Sequence, residues 1–262
     1  MNKNIYLSKQ EQMIFNMTSS VDIAYTDEIR DLFFDLKPHQ INKICHSLSS
    51  KGYLHRLKKG VYLIQKKPSD QPLIENPYKI ALALFKGYIA FSSALRIYDL
   101  LDYEPFTIFV VTKNRSIEKR IGEYTFKSVA MGKKATGITH YKDIYISTTA
   151  KTFFDCFYKP QYGGGYSTIT EALYDADMDW NEFTGYFELA SSSLCQRTGY
   201  VLELFWDKTD KIPEEVLQYF KKRIKNNTKL LPSGKPTGKY NKTWMLLDNL
   251  GKENILSWWY HG

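Results

Sequence analysis

Pro38-His-Gln-Ile-Asn-Lys-Ile-Cys-His-Ser-Leu-Ser-Ser-Lys-Gly52 runs directly into Tyr53-Leu-His-Arg-Leu-Lys-Lys-Gly-Val-Tyr-Leu-Ile64, and the change of period between the two stretches decides the fold. In the first, Ile41, Ile44, Cys45 and Leu48 recur at i, i+3, i+4 and i+7, the spacing of one helix face. Pro38 suits the first helical position, where its missing N–H would be unpaired anyway, and Gly52 suits the residue just past the end. Rotation by about 100° per residue places His39, Asn42, Lys43, His46 and Ser50 on the opposite, outward side. In the second stretch, Tyr53 to Leu57 and Val61 to Ile64 read as strands around a Lys58-Lys59-Gly60 turn.

Upstream, Ser8 is a good N-cap for a helix carrying Met13, Ile14 and Met17. Thr26-Asp-Glu28 opens a second, short helix whose Ile29, Leu32 and Phe33 are expected to share a face. Three helices followed by a hairpin predict a winged helix-turn-helix over residues 1–68. In that unit the third helix enters the major groove of DNA and the hairpin touches the phosphate backbone.

Charge points the same way. The 262-residue chain has 36 Lys and Arg against 28 Asp and Glu, for a net charge of +8. Residues 36–69 alone hold eight basic groups, three histidines and no carboxylate, while residues 1–35 net −3, 70–206 net −2 and 207–262 net +5. A solvated surface ordinarily mixes signs, so this run predicts a polyanion-binding face. Asn and Gln can pair with adenine edges, Lys with guanine, and cations at the hairpin tip can neutralise phosphates. The expected DNA contacts are His39, Gln40, Asn42, Lys43, His46, Ser47, Ser50 and Lys51, with Arg56, Lys58 and Lys59 on the hairpin. Contact with about four to six phosphates per bound copy would give log affinity a slope of about −4 to −5 against log salt. A second basic cluster, Lys221, Lys222, Arg223, Lys225 and Lys229, reads as a solvated helix face, as an extension of the DNA track or as a contact for an acidic partner.

Pro68-Ser-Asp-Gln-Pro72 reads as a linker, and residues 73–262 as a larger, mainly helical α+β domain with a sub-boundary near 207. Helices are expected at about 77–86, 91–101, 149–158, 166–175, 180–190, 192–205 and 213–226, and strands at about 106–111, 124–129 and 143–146. The 43% hydrophobic and 24% charged composition is globular. No apolar run approaches the roughly 20 residues of a membrane span. The first residues lack a signal-peptide stretch, and Cys45, Cys156 and Cys195 form no Cys-x-x-Cys pair. A cytoplasmic protein without metal or cofactor, and without a membrane partner, is therefore expected.

Motifs that suggest an enzyme are weak. Gly164-Gly165 followed by Asp175 and Asp177 imitates nucleotidyltransferase spacing, in which two carboxylates hold metal ions. Here the aspartates read as a polar turn between helices. The same run fails as a calcium loop, with Trp180 at the glycine position and Tyr186 at the bidentate Glu position. Gly234-Lys-Pro-Thr-Gly238-Lys239 is too short for a phosphate loop and is followed by Tyr240 instead of Ser or Thr. His140 and His261 stand apart from other metal ligands, and the 40 aromatics are scattered through core-like positions.

Several blocks resemble AbiEi-type antitoxins. Thr148-Thr-Ala-Lys-Thr-Phe-Phe-Asp-Cys156, Lys159-Pro-Gln-Tyr-Gly-Gly-Gly165, Ala172-Leu173 and Arg197-Thr-Gly-Tyr-Val-Leu-Glu-Leu204 are similar to the family's central region. Tyr53 to Leu63 is similar to its hairpin, Phe91-Ser-Ser-Ala-Leu95 to the helix that follows, and Leu231-Pro-Ser-Gly234 with Gly238-Lys-Tyr-Asn-Lys-Thr-Trp244 to its closing segment. The resemblance implies a non-enzymatic transcriptional regulator of phage-defence operons. Such a protein represses its own promoter, on repeated half-sites, and counteracts an AbiEii-type nucleotidyltransferase toxin. The sequence departs from the pattern at Met245, where a basic residue is often found, and in using Lys and His where the family's DNA face is arginine-rich. Two other readings stand beside it: a nucleotidyltransferase using Asp175 and Asp177, and a winged helix that binds only protein.

Overall fold

The computed structural model describes residues 5–261. Helix α1 (Lys9–Thr18) starts at a reciprocal cap, the Ser8 hydroxyl accepting from the Glu11 N–H and the Glu11 carboxylate from the Ser8 N–H. Strand β1 (Ile23–Tyr25), helices α2 (Thr26–Leu32) and α3 (Pro38–Ser50), and strands β2 (Leu54–Lys58) and β3 (Val61–Ile64) follow. β1 is too short for its period to show in sequence. It pairs with β3 and completes an antiparallel sheet of order β1-β3-β2. Ile14, Ile29, Phe33, Ile41, Cys45, Leu48 and Tyr62 form the core beneath. Leu32 does not join them: α2 ends there, the chain turns at Phe33, and Leu32 is left 52% exposed.

The remainder is built on a six-stranded sheet. Its elements are α4 (Pro77–Leu84), β4 (Tyr88–Ile89), α5 (Phe91–Ile97), β5 (Thr107–Thr112), β6 (Glu118–Ile121), β7 (Tyr124–Ala130), β8 (Ile138–Tyr141) and β9 (Ile144–Ser147). Strand order is β6-β7-β5-β4-β9-β8, with β5 and β7 parallel, β4 and β9 parallel, and the other pairs antiparallel. Helices α6 (Thr149–Tyr158), α7 (Gly165–Asp175), α8 (Trp180–Gly185), α9 (Ser192–Thr209) and α10 (Glu214–Lys221) make the helical layer. The closing segment adds β10 (Thr228–Lys229), β11 (Lys239–Asn241), β12 (Leu246–Asp248), α11 (Lys252–Ile255) and α12 (Ser257–His261). The architecture is thus mixed α+β, with three sheets among the described residues. Half of the large sheet escapes the sequence reading, because β4, β6 and β8 are two to four residues long and β6 and β8 are only half-buried.

Two cores cover the large sheet. On one face Phe91, Val111, Phe153, Phe157, Val201 and Phe205 join α5, α6 and α9. On the other, Ile80, Leu84, Ile89, Val110 and Phe126 pack with Leu57, Val61 and Leu63 of the hairpin. β3 is therefore buried on both sides, Tyr62 and Ile64 toward the helices and Val61 and Leu63 toward the body. That is why Val61-Tyr-Leu-Ile64 is a continuous apolar run rather than an alternating one. The segment between is pinned as well: the Gln65 amide donates to the Leu73 carbonyl at 3.2 Å and its oxygen accepts from the Leu73 N–H at 2.8 Å. Among the described residues, no helix is long and apolar enough to cross a membrane.

Candidate nucleic-acid interface

Helix α3 is anchored by Ile41, Cys45 and Leu48, each fully buried, and its opposite side follows from that anchoring. His39, Asn42, Lys43, His46 and Ser50 are all exposed there. Gln40 is half-buried and its side-chain oxygen accepts from the Lys37 N–H at 2.8 Å, so it closes the helix start. Ser50 donates to the His46 carbonyl one turn back at 3.0 Å.

Lys51 and Ser47 do not belong to the outward ridge. The Lys51 ammonium donates to both Glu11 carboxylate oxygens, at 2.9 and 2.7 Å, with side-chain exposures of 19% for Lys51 and 6% for Glu11. Burial by itself would raise the Glu11 pKa. Hydrogen bonds from Lys51, Ser47 and Ser8 outweigh it and hold the carboxyl at about 2. The pair therefore locks α1 to the end of α3, and one of the eight cations in residues 36–69 is neutralised. Lys66 meets the exposed Glu75 at 3.3 Å in a surface pair.

The hairpin divides its cations. Arg56 pairs with Tyr62 and Lys58 with Val61, so the register slips and Leu57 is the extra residue of a β-bulge. Cross-strand partners share a face. Arg56 thus lies on the side of Tyr62, which packs in the core with Cys45 of α3, and it is exposed beside that helix. Lys58 lies on the side of Val61, which faces the body. Its ammonium donates to the Leu84 carbonyl at the end of α4, 3.0 Å away. Burial and then the like charges of Lys86 and Lys119 lower its pKa. The Lys119 ammonium in turn donates to the Leu57 carbonyl. Lys59 remains exposed at the tip, next to Gly60, whose φ of +73° the tight turn requires. The assembled ridge is His39, Asn42, Lys43, His46 and Ser50 with Arg56 and Lys59. Among the described residues, none of its cations is ion-paired.

The second basic cluster is dispersed. Lys221 pairs with Glu203 at 2.9 Å, Arg223 stacks 4.0 Å from the centre of the Tyr219 ring, and Lys229 donates to the Gly234 carbonyl. Lys222 and Lys225 are exposed. Asp175 ends α7, Asp177 lies in the following loop and Asp179 caps α8, accepting from the N–H groups of Asn181 and Glu182. Among the described residues, no group of three or more His, Cys, Asp or Glu is placed to hold a metal ion. His140 is exposed against the Tyr145 ring, and the His261 side chain lies outside the described residues.

The structure also brings together blocks far apart in sequence. Trp244 is fully buried on Gly199, where any Cβ would stand 2.2 Å from the indole, and its ring N–H donates to Glu203 at 2.6 Å. Gln196 donates to the Trp244 carbonyl at 2.8 Å, and Tyr200 to the Asp248 carboxylate at 2.8 Å. Within α6, Lys151 and Asp155 form an ion pair with both side chains fully buried. Tyr88, Phe154 and Tyr186 surround the Lys151 ammonium with their rings. Burial lowers the Lys151 pKa, and burial raises Asp155 to about 6 against the pull of Lys151.

No family model and no curated protein matches the chain. Its fold has a counterpart among solved structures. The chain is similar to the RV2827C protein from Mycobacterium tuberculosis. The TM-score is 0.69 at 14% sequence identity, covering 95% of this chain and 94% of that one. At this identity the likeness concerns the fold alone.

Proposed function

We propose that the expected N-terminal unit, residues 1–68, acts as a winged helix-turn-helix and that the protein is a DNA-binding repressor of its own promoter, of the AbiEi antitoxin type. The observation that carries this reading is the ridge on α3 and β2. Its donors and cations are exposed, carboxylate-free and held on a fully packed core. Asn42 and Lys43 read base edges from the third helix, while Arg56 and Lys59 neutralise phosphates and fix the register. The antitoxin role, directed at an AbiEii-type nucleotidyltransferase toxin, draws its support from the order of the resembling blocks. The packing of two of them on each other, Gly199 against Trp244, is consistent with their acting as one structural unit.

The protein itself performs no catalysis in this account. Asp175, the last residue of α7, and Asp177, in the loop after it, are both exposed. The test is binding of the full-length protein to the DNA upstream of its own gene, followed by fluorescence anisotropy against a scrambled duplex of equal length. A preference of about 10³-fold or more at physiological salt is expected of a specific regulator. Equal affinity for both duplexes would refute base reading. Capture of a toxin without any DNA binding would favour the protein-only winged helix.

A further inference from the structure

Beside the hairpin tip a cleft of about 620 Å³ opens where the start of β4 meets the end of β5, within the size range of small-ligand sites. Its apolar lining includes the exposed Ile138, with Phe85 and Val111 buried behind it. Its polar rim consists of Lys86, Lys113, Asn114 and Arg115, all exposed, and no Asp or Glu lines it. None of the three cations is ion-paired among the described residues. Lys58 lies near Lys86, whose charge adds to burial in lowering the Lys58 pKa.

The rim is held in place by bonds that leave its charged groups outside. The Arg115 carbonyl accepts from the Thr112 hydroxyl at 2.8 Å and from the Ser128 hydroxyl at 3.0 Å. Ser128 also accepts from the Ile117 N–H, and Ser116 from the Ala130 N–H. At the opposite wall, Gly87 has no room for a Cβ, which would stand 2.0 Å from the Val111 carbonyl oxygen. This close approach sets Lys86 against the end of β5 that carries Lys113. A cationic rim beside apolar side chains suits a ligand with a flat ring and a phosphate. The Asn114 amide offers a donor and an acceptor to a base edge.

We propose that this cleft binds a nucleoside phosphate, its ring against Ile138 and its phosphate among Lys86, Lys113 and Arg115. The proposal does not depend on DNA binding by α3. It is tested by calorimetric titration of the full-length protein with adenosine 5′-monophosphate, inorganic phosphate and adenosine at low salt. Saturable one-to-one binding of the monophosphate is expected, about tenfold or more tighter than either fragment. Lys86→Glu and Arg115→Glu should each weaken it by about tenfold or more, while Lys252→Glu, an equal charge change elsewhere, should leave it within about twofold. If a charge reversal lowers the melting temperature, Lys113→Ala and Arg115→Gln take its place with the same expectation. Absence of saturable binding at millimolar concentration, equal loss in Lys252→Glu, or phosphate alone binding as tightly would overturn it. Binding of a 5′-phosphorylated trinucleotide but not of the monophosphate would assign the cleft to a strand end instead.

Discussion

Arg56 and Lys58 stand two residues apart on β2 yet face opposite sides of the hairpin sheet, because the bulge at Leu57 shifts the pairing between them. Arg56 joins the α3 side and Lys58 is bonded to the Leu84 carbonyl of the body. Their substitutions should separate accordingly. Arg56→Ala is expected to weaken all duplexes alike and to flatten the salt slope by about one unit. Lys58→Ala should leave the slope unchanged and lower stability by about 1 kcal/mol, the worth of one hydrogen bond. Salt titrations of both variants with one duplex, plus a denaturant melt, check the pair. Identical slopes for the two variants would contradict the bulge-based division.

The Lys51–Glu11 pair predicts an acid-sensitive joint between α1 and α3. Glu11 titrates at about 2 in the folded chain, below its ordinary value of 4.5. Its contribution is therefore complete above pH 4.5 and fades as the pH falls toward 2. Glu11→Gln should cost about 1 to 3 kcal/mol near neutrality and progressively less as the pH falls, to roughly a quarter of that at pH 2.5, read from denaturant unfolding at each pH. A cost independent of pH would mean that the carboxylate charge is not what matters.

The α3 period, the hairpin and the surplus of cations could all be read locally, since each depends on residues within one or two turns. The divided hairpin could not. A bulge is a relation between strands, and Lys51 finds Glu11 across 40 residues. Lys151 and Asp155 are four apart on a helix, the spacing of an ordinary exposed pair. Only the packing of Tyr88, Phe154 and Tyr186 around them shows that they are internal. The cleft rim is similar: Lys86 and Lys113 become neighbours through the unanticipated strand β4.

Removing half of that buried pair should be severe. Asp155→Ala would leave an unpaired ammonium inside the body and is expected to cost about 3 to 5 kcal/mol. The double variant Lys151→Met with Asp155→Leu should recover part of this loss, since neither charge is then left alone. Equilibrium unfolding of the single and double variants reads the difference. A double variant less stable than Asp155→Ala would show that the pair has a role beyond mutual neutralisation.

Gly199 under Trp244 predicts a steric, not electrostatic, sensitivity. Gly199→Ala places a methyl group where the indole lies, and overpacking of this kind costs about 1 to 3 kcal/mol. The displaced indole should also lose its bond to Glu203, changing tryptophan emission. Unchanged emission and stability would contradict the packing of the closing segment on α9.

The central claim is that the α3–β2 ridge binds a duplex by displacing its counterions. With Lys51 held by Glu11 and Lys58 turned to the body, about three to four phosphates remain within its reach, so log affinity against log salt should have a slope of about −3 to −4. That is shallower than the −4 to −5 expected when both lysines are counted. Measuring affinity for the upstream DNA between 50 and 300 mM salt, about twofold steps apart, decides the matter. A slope near −3 that Lys59→Ala flattens by about one unit, while Lys43→Ala narrows the preference for the upstream DNA over a scrambled duplex, is the predicted result. A slope near zero, or one that Lys59→Ala leaves untouched, would contradict the account.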